Sequence, residues 1–74
     1  MNNDNSVLEV FSDRLKDLMF EKGLNISKFS QEIGIPDSTI SDWINKKRRP
    51  IIDNLPKIAL FFDVTTDYLL GLEN

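Results

Sequence analysis

The most constraining feature of the chain is the set of side chains around Gly34. Phe29 and Ser30 stand five and four residues before that glycine, Ile33 one before, Ile35 one after, Ile40 six after and Trp43 nine after. Apolar groups at those offsets meet where two short helices cross at a tight turn. Ser30 is small, as it must be where the two backbones approach most closely. The turn residue needs a positive φ, which glycine adopts without a Cβ clash. A random helical hairpin would match one or two of these features, and all six are present.

Helical periodicity continues on both sides, and no alternating strand pattern, repeat or low-complexity tract interrupts it. Val7, Phe11, Leu15, Leu18 and Met19 recur on one face of an amphipathic helix. Ser6 with Glu9 three residues later reads as a capping box, and Gly23 as the stop. The first helix is therefore expected over roughly residues 7–22, after a disordered N-terminus at 1–6. Asn25 is a suitable N-cap for a second helix with Ile26, Phe29 and Ile33 inward. Pro36 suits the first turn of a third helix, in which Ile40, Trp43 and Ile44 face the core. Asp37, Ser38, Ser41, Asp42 and Asn45 lie on its opposite face. Asp53 is expected to cap a fourth helix, with Pro56 in its first turn and Leu55, Ile58, Ala59 and Phe62 inward. Thr65 or Thr66 caps a last short helix that Gly71 stops. The expectation is an all-α domain of five helices over residues 7–72.

Composition narrows the chemistry. The chain has neither Cys nor His, so disulfides, thiolate metal sites and the commonest general base are all missing. No catalytic site, metal or cofactor is expected, and Asp13 with Asp17 reads as a solvated helix face. No apolar run approaches the ~20 residues that span a bilayer, and the polar N-terminus lacks a signal-peptide core. A cytoplasmic protein that does not engage membranes is expected.

The net charge of −3 is unevenly spread. Residues 24–57 carry six basic and four acidic side chains, whereas both flanking segments are net acidic. Four of the basic residues are consecutive, at Lys46, Lys47, Arg48 and Arg49. The middle of the chain is thus where a phosphate would sit.

At these residues the chain resembles the Cro and lambda-repressor-like helix-turn-helix family, the XRE family, over roughly residues 9–72. The matching stretches are Arg14-Leu15-Lys16, Lys22-Gly23-Leu24, Gly34-Ile35-Pro36, Ser38 to Trp43, Arg49-Pro50, Leu55 to Ala59 and Asp67 to Gly71. The resemblance implies a five-helix domain that regulates transcription, as a repressor, by inserting its third helix into the major groove of operator DNA. It also implies a two-fold dimer. Asp37, Ser38, Ser41 and Asp42 would then meet base edges. Thr39, Asn45, Lys28, the loop residues Lys46, Lys47, Arg48 and Arg49, and the backbone amides of Ile26 and Ser27 would meet phosphates.

Phe61, Phe62, Leu69 and Leu72 exceed what one small core needs and are expected to form the dimer surface. No small-molecule ligand is expected. The family often has Gln at the position of Ile26, and often an Arg and a Glu at those of Met19 and Ile44; all three are apolar here. The acids on the presumed reading face leave a second reading open, a protein-interaction module on the same scaffold that binds a repressor or toxin partner.

Overall fold

The computed structural model describes residues 4–73. The described residues form five helices and no strand: α1 (Asp4–Glu21), α2 (Ile26–Ile33), α3 (Asp37–Ile44), α4 (Asn54–Phe62) and α5 (Thr66–Leu70). The all-α expectation and the number of helices hold.

Two helix starts differ from expectation, α1 in its boundary and α4 in its cap. The backbone of α1 is already helical at Asp4, two residues before Ser6, the expected cap. Residues 1–3 of the expected N-terminal lead-in lie outside the described residues. Asp53 precedes α4 but makes no side-chain cap, because its own backbone is already right-handed helical. A turn takes over there, with the Asn54 and Leu55 amides donating to the carbonyls of Ile51 and Ile52 at 2.9 and 3.2 Å. The other two caps form as the sequence suggests. Asn25 Oδ1 accepts from the Lys28 amide at 2.8 Å and Thr65 Oγ1 from the Tyr68 amide at 3.0 Å. Each satisfies an amide that has no intrahelical partner.

The core is continuous through all five helices. Phe11 and Leu15 of α1, Phe29 of α2, Ile40 and Trp43 of α3, Ile58 of α4 and Leu69 of α5 are sealed from solvent. On α1 the inward residue of the first described turn is Leu8; Val7, expected there, is 41% exposed. The face running through Phe11, Leu15 and Leu18 is continued backwards by Leu8, three residues before Phe11, rather than by Val7. Of the six residues around Gly34, Phe29, Ile35, Ile40 and Trp43 are buried, while Ile33 packs against them half-exposed. Ser30 is small for a second reason, since its Oγ donates to the Ile35 carbonyl at 2.6 Å and ties the two sides of the turn together.

Two polar ties orient α1. Buried Ser12 donates its hydroxyl to the Trp43 carbonyl at the end of α3. Arg14 donates to the carbonyls of Tyr68 and of Glu73, the latter at 2.7 Å, and its guanidinium lies 4.3 Å from the centre of the Tyr68 ring. Those carbonyls belong to and follow α5, where a cation is favoured.

Both Lys46 and Asp63 hold the left-handed conformation that stops a helix, at φ 63 and 58. Gly34 takes the same role at φ 78 without strain. At Asp63 a side chain occupies a conformation that L residues enter at a cost, and its negative charge stands at the negative end of α4. Asp63→Gly removes both penalties. It is expected to stabilise the domain by ~1 kcal/mol, raising the thermal midpoint by about 4–8 °C. A midpoint that falls in thermal denaturation would contradict the strain assigned to this position.

Candidate nucleic-acid interface

The sequence-derived candidates lie on and around α3. Its inner face, Ile40 and Trp43, is locked into the core, which fixes the rotation of the helix and turns the short polar residues outward. Asp37 and Ser38 are exposed, and Ser41 and Asp42 are half-exposed. Asp37 sits in the first turn, where the helix dipole favours a carboxylate. Asn45, at the far end, is exposed and donates from Nδ2 to Ser41 Oγ at 3.3 Å.

The basic side chains after α3 are held in different directions. Lys46 is the left-handed residue that ends the helix, with its amide donating to the Trp43 carbonyl at 3.2 Å. The Lys47 amide returns to the Asp42 carbonyl at 2.8 Å. This stop swings the Lys46 side chain back towards α1, where Nζ lies 3.3 Å from Asp13 Oδ1. Lys47 is exposed. Arg48 bends over the flank of α3, with Nη2 3.4 Å from Asp42 Oδ2 and Nη1 donating to Thr39 Oγ1 at 3.4 Å. Both partners are part-exposed, so the pair adds little to stability. Its electrostatic effect is local: the Asp42 carboxylate has a guanidinium beside it, which offsets the repulsion it would otherwise exert on phosphate.

At the start of α2, the Asn25 side chain takes the Lys28 amide. The cap thus leaves to other acceptors the first-turn amides of Ile26 and Ser27, which have no acceptor within the helix. Ser27 and Lys28 are exposed and Ile26 is half-exposed, packed on the core.

Between the Gly34 turn and the basic loop lies a cavity of about 330 Å³. Thr39 and Trp43 of α3, Arg48, and Asn54 and Lys57 of α4 are among its lining residues. Asn54 and Lys57 were not singled out from the sequence. They are three residues apart on α4, and only the packing of α4 beneath the turn brings them beside α3. Trp43 is fully buried, with Phe11 edge-on to it at 5.9 Å. Its indole Nε1 has no hydrogen-bond acceptor among the described residues. Leaving such a donor unpaired costs about 1–3 kcal/mol.

The residues expected to form a dimer surface divide. Leu69 and Phe62 belong to the core, and Phe61 is half-buried with its ring 5.3 Å from that of Phe29. Leu72 is 72% exposed. The surplus of apolar residues at this end is taken up by the core, with Phe61 and Phe62 both against Phe29 of α2, a demand the one-dimensional pattern does not display. Leu60, on the outer side of α4, is the exposed apolar residue there that the sequence reading passed over. No helix among the described residues is long and apolar enough to cross a membrane.

Comparison with known proteins agrees with this geometry. A family model described as helix-turn-helix matches residues 15–69. An uncharacterized HTH-type transcriptional regulator of Bacillus subtilis (strain 168), YobD, is 30% identical over 63 residues, which cover 85% of this chain and 56% of that protein. The HTH-type transcriptional regulator AnsR of the same organism is 36% identical over 61 residues, covering 82% of this chain and 53% of its own length. The chain thus spans about half the length of these curated relatives. No solved structure matches it. With the matched region running from α1 into α5, and the crossing of α2 and α3 at its centre, the chain belongs to the Cro and lambda-repressor-like helix-turn-helix family of XRE-type transcriptional regulators.

Proposed function

We propose that this chain binds double-stranded DNA sequence-specifically and represses transcription, with α3 in the major groove. The observation that carries this reading is the exposure of one polar face of α3, held rigid from behind by buried Ile40 and Trp43 and flanked by the basic loop. Asp37, Ser38, Ser41 and Asp42 are the base readers. Thr39, Asn45, Lys28, Lys47, Arg48, Arg49 and the α2 amides of Ile26 and Ser27 hold the phosphates on either side. Two names in the family comparison, both HTH-type transcriptional regulators, support the same activity. The protein acts as a homodimer through exposed Leu60 and Leu72, which sets two α3 helices about one DNA turn, roughly 34 Å, apart. It works in the cytoplasm and needs no cofactor.

Selection of bound sequences from random duplexes is the direct test, followed by titration at several salt concentrations. Specific binding whose logarithm falls steeply and linearly with the logarithm of salt is expected. Enrichment of no sequence, with weak salt dependence, would favour a protein-binding role for the scaffold. Within the selected site, Asp42→Ala is expected to relax preference at one base pair by ~1–3 kcal/mol. An unchanged preference would remove Asp42 from the readers.

A further inference from the structure

The outer face of α4 carries an exposed leucine with a cation on one side and an anion on the other. Lys57, Leu60 and Asp63 follow one another at three-residue steps, so they share about one third of the helix circumference, with Leu60 in the middle. All three are exposed, Leu60 at 82%. Neither Lys57 nor Asp63 forms an ion pair among the described residues. A single exposed leucine is common on any protein surface. What sets this one apart is the charge on either side, and what one of those charges costs. Asp63 holds a left-handed backbone at φ 58 and places its carboxylate at the negative end of α4. Glycine or asparagine would stop the helix there without the charge. Nothing within the domain offsets the cost of the acid.

We infer that this face docks a second copy of the chain about a two-fold axis through Leu60. The inference rests on the homodimer reading and adds to it the residues that set the register. A two-fold contact lays one patch against itself. With two α4 helices antiparallel, Leu60 meets Leu60 of the partner subunit, and Lys57 stands level with Asp63 of the partner subunit. The same pairing repeats on the other side of the axis. One operation thus removes two leucines from water and pairs four charges that neither copy pairs alone. The face is balanced in charge, so it offers nothing to a polyanion such as DNA. A partner of one sign would leave half of its charge unmet. The patch is small, so the association is weak and depends on concentration.

Sedimentation of the full chain over a concentration series reads the dimer, and charge reversal locates it. Lys57→Glu and Asp63→Lys each turn two attractions into two repulsions, and each is expected to weaken association by at least about tenfold. Both changes in one chain restore opposite charges, and association should return to within about threefold of the parent. Neither change threatens the fold, since each moves its charge towards the helix end that favours it. The chain has no cysteine, so Leu60→Cys introduces a single thiol. On the two-fold axis that thiol meets its own copy at disulfide distance. It should oxidise to a covalent dimer much faster than Phe20→Cys, whose site on α1 is 85% exposed. Adding Lys57→Glu to Leu60→Cys should slow the cross-link. A parent that dimerises while the single reversals dimerise equally well overturns the register and leaves the homodimer reading standing; so does a double reversal no better than the singles. A parent that stays monomeric at every concentration, with Leu60→Cys no faster to cross-link than Phe20→Cys, overturns both.

Discussion

Trp43→Ala is expected to cost ~3–5 kcal/mol of folding stability. The side chain is 0% exposed, touches Phe11 edge-on, and its carbonyl accepts the hydroxyl of buried Ser12. It therefore stands where α1 and α3 are joined, and its removal leaves a void that the surrounding helices cannot fill without breaking that junction. A domain of 74 residues has a total stability on the order of 4–11 kcal/mol, so the loss takes roughly a quarter of it at the least. Urea denaturation followed by circular dichroism measures it. A loss below about 1 kcal/mol would mean that Trp43 is not the centre of the packing. Trp43→Phe retains most of the buried ring, and the contrast between the two variants separates packing from the loss of the indole N–H.

The fold was legible because its information is local and periodic. The offsets around Gly34 specify a crossing of two helices, and the structure buries four of those five apolar groups, with Ile33 half-exposed against them. Capping at Asn25 and Thr65 was equally readable, since each hydroxyl or amide acts within three residues of itself. The errors fall where a residue's role depends on distant parts of the chain. Asp53 has the chemistry of a cap, but a preceding turn has already used the position. Phe62 and Leu69 look surplus to one helix at a time and are consumed by the core that all five helices share.

The candidate site was legible as a list and much less so as an arrangement. Lys46 through Arg49 look equivalent in sequence, yet the left-handed stop at Lys46 sends that side chain to Asp13, 33 residues earlier, and Arg48 to Asp42. Ser12 carried no signal at all, because its partner lies on another helix.

That arrangement separates the loop residues in a measurable way. With Lys47, Arg48 and Arg49 all replaced by Ala, binding to the selected duplex is expected to fall by about a thousandfold at moderate salt, on the order of 1.5 kcal/mol for each charge-assisted interaction. The slope of log affinity against log salt should become shallower by about three units, one for each phosphate that is no longer neutralised. Scrambled duplexes should lose affinity in the same proportion, since these side chains grip the backbone and not the bases. Lys46→Ala is expected to behave differently. Its Nζ is already paired with Asp13 at 3.3 Å and is drawn towards α1, so the salt slope should stay as it is. Stability should change little in Lys46→Ala, because the ion pair of Lys46 is part-exposed. Affinity titrations of the parent, the triple variant and Lys46→Ala at several salt concentrations make the comparison. If Lys46→Ala flattens the slope as much as any other single loop substitution, the Asp13 pairing gives way on binding and the four cations do act as one cluster. If the triple variant keeps the parent's slope, the phosphates lie elsewhere and α3 does not enter the groove in the orientation proposed.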